Sequence, residues 1–374
     1  MLQVPYAIQL KRKNAAMEEL FKEFIDKDHC DVFPIAGMDN PRNYRYKAAT
    51  PFAPQGRRRV RSGFYAAGTH RIVPCKQCLV EDSRLRPILN DVARLAEELG
   101  IYAYDEDRGT GTLRHAVVRS ALYTNDILLT IVTNGSNLYR KDLLIKALKQ
   151  RKVSPTSIVQ NVNTLQTNAI LGRKNIVLSG SGHMRDKILG ATFEIGATSF
   201  YQTNPRQTEV LYGKAIKASG AQIGMTFLDA YCGCGTIGIC AAKKIKGLNI
   251  IGVERTGESI HMARRNAHIN KLDNRCRFIH ADATEYLHEA AKNHLDVDIL
   301  MMDPPRAGST ETFLEAASQI NPERIVYVSC NPKTQVRDIA YLRKLGWKMD
   351  SLMPVDMFPH TKHVETIVSL SRAR

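Results

Sequence analysis

The stretch TFLDAYCGCGTIG (residues 226–238) joins a short apolar run to a glycine-rich turn. Gly233, Gly235 and Gly238 fit the spacing GxGxxG, in which glycines permit a tight turn and let the backbone approach a ligand closely. Further apolar runs alternate with helical segments, at Asn249–Val253, Arg277–His280, Asp298–Met302 and Arg324–Val328. This alternation predicts an α/β fold with a doubly wound, mostly parallel sheet, and the run His363–Leu370 predicts an antiparallel closing strand.

Acidic residues follow three of the predicted strands, at the carboxyl edge where such sheets bind ligands. Glu254 lies 19 residues after Gly235 and is placed to take the two hydroxyls of a ribose, whereas Asp282 is placed to accept a hydrogen bond from an adenine amino group. The glycine turn and Glu254 suit NAD as well as S-adenosylmethionine. The motif that starts at Asp303, Asp-Pro-Pro-Arg, favours S-adenosylmethionine, because it is common in methyltransferases of bases and amides and unusual in dehydrogenases.

Two further residues indicate the chemistry. Cys330, in SCNP (329–332), lies just past the fifth run, whereas a cysteine that only packs would lie within it. Its thiol, with an ordinary pKa of about 8.5, needs local help to react as a thiolate. Glu365, in HVET (363–366), is either a surface strand residue or a general base. A thiolate, a methyl donor and a base are what C5 methylation of a pyrimidine requires, because C5 becomes nucleophilic only after a thiol adds to C6 and its proton must then leave.

These motifs resemble those of the S-adenosylmethionine-dependent RNA uracil-5-methyltransferases, especially the 23S ribosomal RNA branch. The resemblance covers most of the chain and rests on five ordered motifs: SFYQTN (199–204), DAYCGCGT (229–236), DPPRAG (303–308), SCNP and HVET. It implies a Rossmann-like class I methyltransferase domain, with a smaller mixed α/β RNA-binding domain before it.

The resemblance also implies roles for individual residues. Cys330 is the expected nucleophile on C6, and Glu365 is the expected base that removes the C5 proton. The expected S-adenosylmethionine site includes the glycines of the turn and six further residues: Gln202, Tyr231, Gly233, Gly235, Thr236, Glu254, Asp282 and Asp303. Thr236 stands where relatives often have Asn.

RNA contacts are expected outside the cofactor site. Phe200 is the aromatic expected to stack against a flipped target uridine, with an ordinary core position as the alternative. Arg45, Lys47 and Arg114 are the expected RNA-binding cations, because phosphate contacts position an RNA while splayed bases supply sequence choice.

Composition agrees with a nucleic-acid partner. Lys and Arg number 53 against 37 Asp and Glu, a net charge of +16 that favours a polyanion over the alternative of a generally basic surface. The eight cysteines are scattered along a long chain and indicate cytosolic thiols, hence a cytoplasmic protein. No apolar run is long enough for a transmembrane helix, and the N-terminus lacks the features of a signal peptide, so we expect no membrane partner.

One family feature departs from the pattern. Many ribosomal members hold an iron–sulfur cluster with three cysteines in a CxxxxxCxxC stretch and a fourth far downstream. Cys78 matches the fourth, but the other three, like an OB-like module of some relatives, would precede a segment like residues 1–10 and so lie before this chain starts. We therefore expect no cluster in the chain as given, with Cys78 as an orphan ligand and either a truncated start or loss of both features. The pair Cys75 and Cys78 alone is a weak metal signal.

The sequence thus predicts an N-terminal helix within residues 1–29, an RNA-binding domain at 30–200 and a methyltransferase domain at 201–374, as a monomer. The predicted reaction is methyl transfer to C5 of a uridine in 23S ribosomal RNA through a covalent Cys–C6 adduct. Three alternatives remain, in this order: the same chemistry on transfer RNA, an NAD-dependent oxidoreductase, and a non-catalytic RNA-binding protein.

Overall fold

The structure, a computed structural model, describes residues 2–56 and 59–373. Its helices and strands are, in chain order, α1 (Tyr6–Asp28), β1 (Asp31–Val32), β2 (Lys47–Gln55), β3 (Arg59–Tyr65), β4 (Ile72–Pro74), α2 (Leu85–Leu99), β5 (Leu113–Ser120), β6 (Ile127–Thr133), α3 (Lys141–Lys149), β7 (Ser157–Val162), β8 (Lys174–Ser179), β9 (His183–Ile188), β10 (Ala191–Gly196), α4 (Pro205–Ala218), β11 (Thr226–Ala230), α5 (Thr236–Lys244), β12 (Asn249–Glu254), α6 (Gly257–Ile269), β13 (Cys276–His280), α7 (Ala283–Lys292), β14 (Ile299–Met302), α8 (Glu311–Gln319), β15 (Arg324–Ser329), α9 (Pro332–Lys344), β16 (Trp347–Val355) and β17 (Glu365–Arg372).

These elements form two compact units. The first contains Met1–Pro41, Ile188–Phe193 and Arg206–Arg374, and the second contains Arg42–Lys187 and Glu194–Pro205. The division differs from the expected boundaries near residues 30 and 200. The difference arises because the chain that follows α1 pairs, through β1, with β16 of the first unit.

The first unit is built on one sheet with the strand order β1-β16-β17-β15-β14-β11-β12-β13. Strands β11 to β15 pair in parallel, and β17 pairs antiparallel with both β15 and β16. This confirms the predicted α/β fold with its antiparallel closing strand. Strand β16 was not predicted, because its sequence WKMDSLMPV mixes polar residues into the apolar run.

Helix α1 belongs to the first unit. Its Phe21 and Phe24 are buried in the same apolar core as Leu228 and Val368 of the sheet. Lys13, on the same helix, is buried and its Nζ lies 2.7 Å from Oδ1 of Asp356. An ammonium and a carboxylate withdrawn from water together fix a helix in place, because separating them would leave each charge without a partner.

The second unit has a sheet of order β4-β3-β2-β5-β6-β7-β8. Helix α2 covers it and occupies the predicted range Leu85–Leu99, ending at Gly100, whose positive φ of 69° closes the helix. Strands β5 and β6 form the predicted hairpin. Both are buried along their whole length, so their side chains are core residues whatever their polarity.

Among the described residues, no helix combines the length and apolar character that a membrane crossing needs.

We predict that Lys13→Met destabilises the first unit by about 3–5 kcal/mol, because the buried carboxylate of Asp356 loses its partner. Trp347, the single tryptophan and a buried residue of this core, reports urea unfolding by fluorescence. The matched control is Lys27→Met on the same helix, whose ion pair with Glu23 is exposed, and it should leave the midpoint unchanged. Equal shifts in the two variants would contradict a structural role for Lys13.

Candidate active site

The predicted site residues of the first unit lie at one edge of its sheet. Ala230, the last residue of β11, pairs with Met302 on one side and Val253 on the other. Tyr231 and Asp303 therefore follow the ends of neighbouring strands, and Glu254 ends β12 beside them. The register thus gathers residues that are far apart in the sequence at the carboxyl edge, where open parallel sheets bind ligands.

The glycine turn after β11 has a left-handed backbone at three positions. Tyr231, Gly233 and Gly235 have positive φ angles of 66°, 55° and 78°. A Cβ on Gly235 would lie 2.7 Å from the ring of Phe278, whereas one on Gly233 would meet nothing within 4 Å. Gly235 is therefore needed for packing, and Gly233 leaves open space beside the turn for a ligand.

Asp229 supports this turn and was missed by sequence reasoning. Its buried carboxylate accepts a hydrogen bond from the backbone N–H of Gly238 at 3.0 Å, which ties the start of α5 to β11. Burial, with the neighbouring carboxylates of Asp303 and Glu254 and against the hydrogen bond from Gly238, raises its pKa to about 7. An acidic residue inside an apolar run, in TFLDA, was the signal that could have identified it.

The carboxylates of Glu254 and Asp282 are both held by backbone N–H groups near the carboxyl edge of the sheet. The Glu254 carboxylate accepts hydrogen bonds from the N–H groups of Gly233 (3.3 Å) and Thr256 (2.8 Å). Asp282 caps α7 by accepting from the N–H of Thr284 at 2.9 Å. Both carboxylates are thereby fixed in orientation at the sheet edge, as a polar recognition site requires.

Two hydroxyl-bearing residues complete this edge. Thr236 lies 3.1 Å from the hydroxyl of Tyr212, which holds its side chain at the start of α5. The Tyr231 ring packs against Phe313 with centroids 5.1 Å apart. These contacts give the site an aromatic wall next to the glycine turn.

Asp303 is a carboxyl group that is only partly ionised at neutral pH. Burial alone raises its pKa to about 7, with no cation of the described residues contributing to lower it. A ligand that carries a positive charge would favour the ionised form. A sulfonium or ammonium group therefore fits this position better than a neutral or anionic one.

Cys330 and Glu365 meet through the antiparallel pairing of β15 and β17. Ser329 pairs with Thr366, so one residue further along the ladder Cys330 lies opposite Glu365. Burial raises the pKa of the half-buried thiol, and the carboxylates of Glu365 and Asp303 raise it further. Burial likewise raises the pKa of Glu365 to about 8, with a further contribution from Asp303. The arrangement combines a nucleophile with an acceptor for one proton.

Arg306 was not singled out by sequence reasoning, although it lies in DPPRAG. A hydrogen bond and the positive charge from Arg306 lower the pKa of Cys330, against the effect of burial. Its backbone carbonyl accepts a hydrogen bond from Nδ2 of Asn331 at 2.9 Å, at the start of α9. The loop after β14 is therefore tied to the residue next to the thiol.

Gln335 is a third residue that the sequence did not identify, 0% exposed on the first turns of α9. Its Nε2 donates to the carbonyl of Tyr327 in β15 at 2.9 Å, and its Oε1 accepts from the hydroxyl of Thr366 in β17 at 2.5 Å. One amide therefore links the strand that ends before Cys330 to the strand that begins with Glu365. Nothing in the local sequence marks it, since an ordinary helical Gln reads the same.

The remaining predicted residues belong to the second unit. Phe200 is 69% exposed, so the alternative of a core position is wrong. Gln202 is partly buried, and Arg45 is exposed. Burial, together with the charges of Arg119 and Arg45, lowers the pKa of Lys47 to about 8, so Lys47 is still mostly charged at pH 7.

Arg114 does not lie at a surface. It is 2% exposed, and Nη1 donates to the carbonyls of Asn163 (2.9 Å) and Leu165 (2.8 Å), while Nη2 lies 3.3 Å from the carboxylate of Glu106. This burial argues against the predicted RNA contact. The physical reason is that β5 is buried along its whole length, so a basic side chain in it must pair internally.

Cys75 and Cys78 lie near each other, since the charge of Cys78 contributes to raising the pKa of Cys75. In residues 2–56 and 59–373, no group of three His, Cys, Asp or Glu side chains could hold a metal ion.

A family model, two relatives and one solved structure match this chain, and each is described as an RNA methyltransferase. The family model described as tRNA (uracil-5-)-methyltransferase matches residues 5–373. An uncharacterised RNA methyltransferase of Oceanobacillus iheyensis is 39% identical over 367 residues, covering 98% of this chain and 79% of that protein. One of Staphylococcus aureus is 36% identical over 362 residues, covering 97% and 79%. The solved structure of Pyrococcus abyssi tRNA (uracil-54, C5)-methyltransferase in complex with S-adenosyl-L-homocysteine matches with a TM-score of 0.81 at 26% identity, covering 99% of this chain and 84% of that chain.

Proposed function

Since this chain belongs to the tRNA (uracil-5-)-methyltransferase family, we propose that it transfers a methyl group from S-adenosylmethionine to C5 of a uridine in 23S ribosomal RNA. The observation that carries this proposal is the juxtaposition of Cys330 and Glu365 across β15 and β17. The two groups match the two steps that the chemistry needs, thiol addition and proton removal.

The carboxyl edge of the first unit fits the cofactor. S-adenosylmethionine, when bound, supplies an electrophilic methyl group on a positively charged sulfur. Among the described residues, no cation compensates Asp303, which would favour such a charge, and Gly233 leaves space beside the turn. Glu254 and Asp282 would take the ribose and the adenine, with contributions from Tyr231 and Thr236, and with Gln202 as a further contact.

In the reaction we propose, Sγ of Cys330 forms a bond to C6 of the uracil, and the electron pair of the C5–C6 double bond moves toward C4 as an enolate. C5 thereby becomes a nucleophile and would accept the methyl group, with the methyl–sulfur bond of the donor breaking and its electron pair returning to sulfur to leave the neutral thioether. Glu365 then removes the proton from C5, the C5–C6 double bond re-forms and the C6–S bond breaks. The thiolate is regenerated, and Glu365 ends the cycle with one extra proton.

RNA would bind through both surface charge and stacking. Phe200, exposed on the second unit, would stack on the flipped uridine, because a base within a helix does not offer C6 to a side chain. Arg45 and Lys47 would contact phosphates, which position an RNA without selecting its sequence. The net charge of +16 supports a polyanionic substrate of this kind.

Transfer RNA is the second candidate substrate. The family description and the Pyrococcus abyssi structure both name a tRNA methyltransferase. The choice of 23S ribosomal RNA rests on the resemblance of the five motifs to the ribosomal branch.

The test of substrate is incubation with methyl-labelled S-adenosylmethionine and unmodified 23S or transfer RNA transcripts, followed by nucleoside analysis. We expect labelled 5-methyluridine from the 23S transcript and at least about tenfold less from transfer RNA, the size of a modest difference in transition-state binding. Label in transfer RNA alone would replace the ribosomal assignment with the second candidate. No label in either RNA would contradict the proposed reaction.

Two variants test the roles of the reacting groups. Cys330→Ala should lose methyl transfer entirely while still binding cofactor, because no other thiol takes its place in the proposed mechanism. Glu365→Gln should lower turnover by about 10²–10⁴-fold and accumulate a covalent enzyme–RNA adduct, because the C5 proton cannot leave. The adduct is measured by denaturing electrophoresis. Full activity of Cys330→Ala would exclude the covalent mechanism, and an adduct-free Glu365→Gln would exclude Glu365 as the base.

The pKa of Glu365 predicts the pH dependence. With a pKa of about 8, the carboxylate that acts as a base is a minor form at pH 6 and grows about tenfold per pH unit up to that value. The thiolate of Cys330 increases in the same direction. We therefore expect kcat/KM to rise by about tenfold or more per unit between pH 6 and pH 7.5. A profile that is flat above pH 6 would contradict a base with a raised pKa.

A further inference from the structure

The second unit contains a cavity of about 660 Å³ that none of the residues in the proposed catalytic site lines. It lies between the turn after β3, residues 64–70, and the segment 167–170, and its floor is formed by residues of β2 and β5. Its size is within the range of small-molecule sites, which are usually preformed and lined mainly by apolar and aromatic groups.

Two aromatic residues at the end of β3, Phe64 and Tyr65, line the cavity. Gly63 and Thr50 hold the strands together, since the Thr50 hydroxyl donates to the Gly63 carbonyl (2.8 Å) and accepts from its N–H (2.9 Å). Phe64 and Tyr65 follow directly and are 43% and 38% exposed. The guanidinium of Arg86 lies 4.8 Å from the Phe64 ring centroid, which fixes the orientation of that ring.

The opposite wall is fixed by buried groups. Nδ2 of Asn163 donates to the carbonyls of Ala169 (2.8 Å) and Ile170 (3.1 Å). Arg114 holds the start of this segment through the carbonyls of Asn163 and Leu165 and also contacts Glu106, which lines the cavity. Arg114, which was predicted to contact RNA, therefore helps to fix the lining of this cavity.

The floor offers polar atoms without offering positive charge. His115 is 9% exposed, and its Nδ1 is buried without a hydrogen-bond partner among the described residues, so the ring packs beneath the cavity and its Nδ1 does not face a ligand. Burial, with the charge of Arg114, lowers its pKa to about 4, so the ring is neutral at pH 7. Within the described part of the chain, no Lys or Arg lines the cavity, whereas the carboxylate of Glu106 does. A phosphate is disfavoured there, and a flat, uncharged ring with hydrogen-bonding edges fits.

We propose that this cavity binds one unstacked nucleobase of the RNA substrate, a base other than the methylated uridine, stacked on Tyr65 and hydrogen-bonded to the Glu106 carboxylate. The proposal rests on the proposed function, which supplies the RNA. A base held here would fix the register of the RNA on the second unit, since single-stranded recognition commonly stacks splayed bases on aromatic side chains.

The test measures the Kd of the full chain for the shortest 23S-derived RNA that it binds, by fluorescence anisotropy. Tyr65→Ala should raise Kd by about tenfold, as stacking on one aromatic ring predicts, and Tyr65→Phe should restore it. The matched control is Tyr102→Ala, which removes a 60% exposed tyrosine of the same unit outside the cavity and should leave Kd unchanged.

A scan with abasic nucleotides identifies the bound base. One position other than the target uridine should weaken binding to the wild-type chain by about tenfold and have no further effect on Tyr65→Ala, because both changes remove the same contact. Additive losses at every position, or an unchanged Kd for Tyr65→Ala, would overturn the cavity proposal while leaving the methyltransferase proposal intact. Absence of RNA binding by the wild-type chain would contradict both.

Discussion

Glu365, Asp303 and Cys330 lie together at the edge where β14 and β15 end and β17 begins. Glu365 is buried and the other two are partly buried, and this shared withdrawal from water is the constraint on which the site depends. Three groups that each ionise to an anion cannot all be charged there, so the pKa of each is raised. At neutral pH, a substantial fraction of these three groups is therefore protonated. A cationic ligand next to Asp303, and Arg306 next to the thiol, are what would release the anionic forms that the chemistry needs.

The surrounding structure must hold these side chains in position, because protonation of a buried acid does not by itself fix where its side chain lies. Gln335 supplies part of it by bonding β15 and β17 at the level of the reacting pair. Lys13 supplies another part from α1: besides Asp356, its ammonium contacts the carbonyl of His363 at 3.0 Å, two residues before Glu365. The N-terminal helix is thus an integral part of the first unit, and its removal would expose the loop that leads into Glu365.

The second unit combines buried positive charge with exposed aromatic surface. Arg114 is enclosed by carbonyl groups and Glu106, whereas Phe200, Phe64 and Tyr65 remain substantially exposed. Exposed aromatic rings are costly in water and suit a partner with flat unstacked bases. The net charge therefore counts basic residues, such as Arg114, that are buried and cannot contact RNA. In this unit the exposed aromatic rings indicate more specifically than the net charge how RNA would be bound.

The sequence by itself determined the alternation of strands and helices, the glycine turn, and the residue types at each strand end, because these depend on neighbours in the chain. It located Cys330, Glu365 and Asp303, as well as α2 and the β5–β6 hairpin, on that basis. It missed Asp229, Gln335 and Lys13, and it misplaced Arg114, because a polar residue inside an element looks the same whether it faces solvent or a buried partner. Only the tertiary structure decided that Ser329 pairs with Thr366, which places thiol opposite carboxyl, and how much burial shifts their protons. Register and burial come from contacts between residues distant in the chain, and local sequence carries no record of them.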